Sequence, residues 1–298
     1  MVALQGIYTA LVTPLKNGTV DLAALKRLVD RQREAGVQGL VVCATTGEGA
    51  ALTPDERRLV IDTVVRRLDG ALTVLAGVSA VAPWAAVEAM RVAADQGADA
   101  MLVAAPPYVR PSQEGLYTHY ATVADQGALP IVLYNVPSRT ACDIQAPTVA
   151  RLAPHERVVG IKEATGSIQR VQQVVSAARG QLAVLSGDDP LTVSLLVAGG
   201  HGVISTGANV VPAKWSELYA RWKEGDVLGA AAIQAGLLGL HEALFLETNP
   251  GPAKAALDVV GLIEPDVRLP LTWPTRPTRY RLAAELENLG CDVPAVTR

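Results

Sequence analysis

Eight short β-rich apolar runs, each followed by a turn and then a stretch of helical period, constrain this chain more than any other feature. They are IYTALVTP from Ile7, GLVVCA from Gly39, LTVLAGV from Leu72, AMLVAAP from Ala100, PIVLYNV from Pro130, VVGIKEA from Val158, LAVLSGD from Leu182 and GVISTGANV from Gly202. Between them the apolar spacing turns helical. Leu22, Leu25, Leu28 and Val29 make one stripe, and Thr53-Pro54-Asp55-Glu56 joins a capping box to a proline at the first helical position, ahead of Leu59, Val60 and Val64. Strands that alternate with helices run parallel, because each helix carries the chain back. The runs are apolar almost throughout, which demands cover on both faces, and eight βα units are the number that closes a (β/α)8 barrel. An open doubly wound sheet is the structural alternative. After about Gly225 the strand pattern stops, and AAAIQAGLLGLHEALFL, PAKAALDVVG and YRLAAELENLG read as helices. The expected organisation is α/β, with a barrel carrying the active site over 1–225 and a C-terminal helical appendage over 226–298.

Half of the 298 residues are apolar and 18% are charged, enough to bury a large core. The formal charge of -3 argues against a nucleic-acid partner, since phosphate binding needs clustered lysine and arginine. Cys43, Cys142 and Cys291 form no CxxC pair, so neither a disulfide framework nor a zinc site is expected, and a reducing cytoplasm fits. The opening MVALQGIYTALVTP has no basic segment before its apolar stretch, and the longest apolar run, Thr73 to Val87, is interrupted by Gly77 and Pro83. No membrane segment is expected. No phosphate-binding or dinucleotide fingerprint occurs, and HEALF at His241 lacks the second histidine of a zinc helix, so the chemistry is expected to need neither metal nor nucleotide.

The run VVGIKEATG raises the chemical question, because it places Lys162 within a buried strand. Taken alone, a strand lysine snorkels to the barrel rim or pairs with a neighbour such as Glu163. Burial, however, disfavours an ammonium, and a neutral amine is a nucleophile that can attack a ketone to form a Schiff base. Such chemistry needs a proton shuttle. YNVPSRT puts Tyr134 on the strand before that of Lys162, although a core tyrosine is the simpler reading of it. ATTGEG supplies the hydroxyls of Thr45 and Thr46 and a turn whose amides can face an anion.

Together, ATTGEGAALTPDER, PYVRPSQEGLY, YNVPSRT, GIKEATG, LSGDD and GGHGVIS resemble the dihydrodipicolinate synthase and N-acetylneuraminate lyase family of lysine-dependent class I aldolases. The resemblance runs from near Ile7 to the helices beyond NPGPAK. It is closest to the branch that condenses pyruvate with L-aspartate 4-semialdehyde on the route to diaminopimelate and lysine. It implies that Lys162 forms the Schiff base with pyruvate, without an added cofactor. Tyr134 is then the general acid/base, and Thr45 relays protons between it and a Tyr108 supplied by a neighbouring subunit. Thr46, with Thr45 and the main chain at Ile204, would hold the pyruvate carboxylate, and Gly187 of LSGDD would also meet substrate. Arg139 would clamp the semialdehyde carboxylate with paired hydrogen bonds.

The resemblance further implies a homotetramer built as a dimer of dimers. Where lysine-inhibited members bind the effector, this chain has Gly49, Pro54, Arg57, Val81, Ala85 and Pro107, so weak or absent feedback by lysine is expected. Pro107 stands where an aromatic residue is common, which affects the path of the loop that carries Tyr108. Two other readings share part of this pattern: a pyruvate-dependent lyase or dehydratase acting on a keto-sugar acid, and a silent binding protein for a small acid.

Overall fold

Each of the eight apolar runs forms a strand, shorter than the run that announced it. In the computed structural model, which describes residues 4–294, the strands are β1 (Gly6–Ala10), β2 (Gly39–Val42), β3 (Thr73–Val78), β4 (Ala100–Ala104), β5 (Ile131–Asn135), β6 (Val158–Glu163), β7 (Ala183–Ser186) and β8 (Gly202–Ser205). All pair in parallel with their sequence neighbours, and β1 closes the ring against β8, from Gly6 opposite Gly202 to Thr9 opposite Ser205. The open-sheet alternative is thereby excluded. A two-stranded ribbon, Leu15–Lys16 with Thr19–Val20, sits beyond β1.

The helices are α1 (Leu22–Glu34), α2 (Pro54–Leu68), α3 (Pro83–Asp95), α4 (Gln113–Gln126), the single turn α5 (Pro137–Thr140), α6 (Ala146–Leu152), α7 (Ile168–Ala178), α8 (Thr192–Val197) and α9 (Pro212–Lys223). α2 begins as its sequence dictates: Thr53 Oγ1 accepts from Glu56 N, and the Glu56 carboxylate accepts from Thr53 N. The C-terminal part holds α10 (Val227–Gly236), α11 (Leu238–Leu244), α12 (Gly251–Val259) and α13 (Arg276–Asn288). The stretch expected as one helix through AAAIQAGLLGLHEALFL is two, bent by 44° between α10 and α11. No single helix among the described residues is long and apolar enough to cross a membrane.

Two apolar clusters follow from strand alternation. One fills the barrel interior with Tyr8, Val41, Leu75, Leu102, Val132, Tyr134, Leu185 and Ile204 among others; a larger one lies between the strands and the helices. The phase of β6 decides which cluster Lys162 joins. Val158 lies opposite Ile131, but Gly160 lies opposite Val132, so Val159 is an extra residue and the strand bulges there. Strict alternation from the outward Val158 would turn Lys162 toward the helices. The bulge resets the phase, so Ile161 packs outward and Lys162 stands beside the inward Tyr134.

Candidate active site

A cavity of about 840 Å³ opens at the C-terminal ends of the strands, where a barrel of this kind places its chemistry. Lys162, Tyr134, Thr45, Thr46, Arg139 and Gly187 all line it. Lys162 is 6% exposed, and its Nζ lies 4.5 Å from the centre of the Tyr134 ring, its cross-strand partner. Among the described residues no carboxylate lies within ion-pair distance of that ammonium. Glu163 faces the other way: its carboxylate accepts from Asn135 Nδ2 at 2.9 Å and from Thr165 N at 2.8 Å. Asn135 also donates to Asp143, and Asp143 pairs with Arg170 at 2.7 Å. This outer network fixes β5 against β6 from behind, so the inner pair of Tyr134 and Lys162 keeps its register.

Two features give Lys162 room. Gly187 N donates to Glu163 O at 2.7 Å, bringing the chain so close that a Cβ at 187 would sit 2.9 Å from Lys162 Cε. Only glycine leaves the lysine stem in place. Across the cavity, Thr45 and Thr46 follow β2 in a tight turn in which Glu48 N donates to Thr45 O. Thr46 is buried, and its hydroxyl accepts from Asn249 Nδ2 at 2.9 Å.

Arg139 sits on α5 at the mouth, and its Nη2 donates to Asn249 O at 3.2 Å, leaving guanidinium donors free to face the cavity. The side chain of Ile204 is buried in the barrel interior, and Thr206 is the cavity wall beyond that strand. Tyr108 stands clear of the cavity. It is 92% exposed, with φ +74 at the centre of a turn closed by Val109 N donating to Pro107 O. A bulky residue held in the left-handed region on the surface is strained and shows its ring outward.

The sequence reading missed the C-terminal contribution. Phe245 to Asn249 form one wall of the cavity, so the site draws on the helical part as well as the barrel. Behind it, Lys254 of α12 is fully buried and pairs with Glu48 at 2.5 Å, while Arg268 N donates to the other Glu48 oxygen at 2.9 Å. Burial pulls the Lys254 ammonium below its ordinary value, and Glu48 opposes that pull. A lysine flanked by small apolar residues in GPAKAAL was the available signal. The partner could not be read, because it lies 206 positions away. Asp188 of LSGDD also lines the cavity, and burial raises its carboxyl above the usual range. Among the described residues no group of three or more His, Cys, Asp or Glu side chains could hold a metal ion.

Known proteins resemble this chain over nearly its whole length. The model of the Dihydrodipicolinate synthetase family matches residues 3–289. A 4-hydroxy-tetrahydrodipicolinate synthase of Anaeromyxobacter dehalogenans (strain 2CP-C) is 46% identical over 269 residues, covering 90% of this chain and 91% of that protein. The crystal structure of a dihydrodipicolinate synthase from Thermotoga maritima superposes with a TM-score of 0.95 at 40% identity, covering 97% of this chain and 99% of that one. A chloride-inhibited dihydrodipicolinate synthase from Acinetobacter baumannii, complexed with pyruvate, also gives a TM-score of 0.95 at 40% identity, covering 97% of this chain and 100% of that one.

Proposed function

This chain belongs to the dihydrodipicolinate synthetase family, and we propose on that premise that it condenses pyruvate with L-aspartate 4-semialdehyde to 4-hydroxy-tetrahydrodipicolinate. The observation that carries the reading is the buried Lys162 beside Tyr134, with Arg139 at the mouth of the same cavity. The Lys162 amine adds to the ketone carbon of pyruvate, and loss of water leaves a protonated imine. That nitrogen withdraws electrons, so the adjacent methyl group gives up a proton and becomes an enamine. The enamine carbon adds to the aldehyde carbon of the semialdehyde, whose oxygen takes a proton. The amine of the second substrate then attacks the imine carbon, closes the ring and releases Lys162. No cofactor enters, because the imine nitrogen is the electron sink.

In this reading Tyr134 moves the protons, and Thr45 relays them. Thr46, Gly187 and the main chain at Ile204 seat the pyruvate, and Arg139 takes the semialdehyde carboxylate. In the same reading the barrel, assigned to 1–225, brings the lysine, and the helical region, assigned to 226–298, contributes the wall from Phe245 to Asn249. Tyr108 completes the relay of a neighbouring subunit, so the working form is at least a dimer and, as a dimer of dimers, a homotetramer. The cytoplasm is its compartment, in keeping with three unpaired cysteines. Feedback by lysine is weak, since Arg57 already gives its guanidinium to the carbonyls of Gly49, Gly77 and Cys43.

The deciding experiment is turnover of pyruvate with the semialdehyde, coupled to a reductase that consumes the cyclic product, beside a panel of sugar aldehydes. Lys162→Ala should abolish turnover, and Arg139→Ala should raise KM for the semialdehyde by about 10- to 100-fold with pyruvate little affected. Activity on a sugar aldehyde alone, indifferent to Arg139, moves the chain to the keto-sugar-acid branch. Failure to trap pyruvate on Lys162 with borohydride removes the reading altogether.

A further inference from the structure

Directly behind the cavity, α11 presents one imidazole to two carboxyls. His241 Nε2 lies 3.6 Å from Asp188 Oδ1, and its Nδ1 lies 3.8 Å from Asp189 Oδ2. Asp188 belongs to the wall of the Lys162 cavity, whereas Asp189 is buried behind it and accepts from Gly207 N at 2.8 Å. The Phe245 ring covers the imidazole, with ring centroids 4.9 Å apart, and also walls the cavity. On its far side His241 borders a second chamber of about 310 Å³, shared with Asp189, Trp215 and Gln234. Three buried polar atoms, His241 Nδ1, Asp189 Oδ1 and Trp215 Nε1, have no hydrogen-bond partner among the described residues. Buried polar groups are seldom left so, and the steps proposed above use none of these.

We propose that His241 is a positioning residue, which sets the orientation and the charge balance of the Asp188 carboxyl where it faces the Lys162 cavity. The inference rests on the pyruvate and semialdehyde reading of that cavity. The second substrate carries an ammonium as well as a carboxylate, and an ionised Asp188 lining the same cavity as Arg139 suits its amino end. The groups around Asp188 are His241 from α11, Asp189 beside it in the chain, and Lys162, Arg139 and Glu247 around the same cavity. Burial raises the Asp188 carboxyl, His241 draws it down, and Asp189 raises it again. Removing the ring therefore leaves the two raising influences unopposed. One side chain thus stands between the open cavity and the closed chamber, with a carboxyl near each ring nitrogen.

The test follows kcat/KM for each substrate against pH in the full-length protein and in His241→Leu and His241→Gln. Loss of the ring should lower kcat/KM for the semialdehyde by about 10-fold or more and move its acid limb to higher pH, while kcat/KM for pyruvate stays within about two-fold. Glutamine, which can still donate near the position of Nε2, should recover part of the rate without restoring the limb. A second readout needs no turnover: the carboxyl carbon of Asp188, labelled and assigned by its loss in Asp188→Asn, should titrate at higher pH in either variant. Unchanged titration of that carboxyl, or equal losses for both substrates, overturns the inference. Should the leucine variant not fold, the glutamine variant carries the titration alone. Failure of the unmodified protein to use the semialdehyde would sink the functional reading, and the carboxyl titration would still decide the role of His241.

Discussion

Gly187 shows how little freedom the lysine has. A Cβ there would meet Ala164 Cβ at 2.5 Å and the Lys162 stem at 2.9 Å, so either the loop or the lysine must move. Gly187→Ala should slow the formation of the pyruvate adduct by about 10- to 100-fold, since small misplacements of a nucleophile cost rate steeply. Borohydride trapping followed by mass spectrometry measures this, with circular dichroism to confirm the fold. At this scale the grouping of Lys162, Tyr134, Thr45 and Arg139 around one cavity was legible, because each sits in a run of distinctive neighbours. The direction of Lys162 was not legible. Alternation counted from Val158 points it outward, and only the extra residue at Val159 turns it in. Asn249, which holds both Thr46 and Arg139, was missed because its partners lie far off in the chain.

Among the elements, the strands were legible because parallel barrel strands are apolar on both faces and turn signals bound each run. The Leu15–Lys16 ribbon and the single turn α5 were not, since elements of two to four residues carry no period. How α12 and the segment around Arg268 grip the turn after β2 was equally hidden. Lys254→Met leaves the Glu48 carboxylate buried without its cation, and should lower stability by about 3 to 5 kcal/mol, read from the urea unfolding midpoint. The neighbouring pair titrates. A hydrogen bond from Arg268 draws Glu56 from 4.5 down to about 2. A carboxyl held lower in the folded state adds stability that is whole above its unfolded value and fades as pH falls through its folded one. Thermal midpoints should therefore fall between pH 4.5 and about 2 in the parent, and Glu56→Gln should be less stable at pH 6 yet match it near pH 2.

For the whole molecule, Tyr108 is the residue that tests whether a second copy completes the site. Its ring points to solvent from a strained turn, away from the cavity of its own chain. If it serves a neighbouring site, Lys162→Ala and Tyr108→Phe subunits, each weak alone, should regain roughly a quarter of full activity when unfolded together and refolded, as mixed dimers rebuild one complete site. Recovery no greater than the sum of the separate variants would assign Tyr108 to its own subunit. The bridges from Asn249 to Thr46 and from Lys254 to Glu48 reach back across most of the chain, and they impose an order on its birth. A chain still leaving the ribosome has all eight strands and its lysine by Ser205, but the wall of the cavity and the anchor of the threonine turn are still to be made. Lys162 is thus left without its finished surroundings until synthesis is nearly over, and a complete cavity belongs only to a chain translated almost to its end.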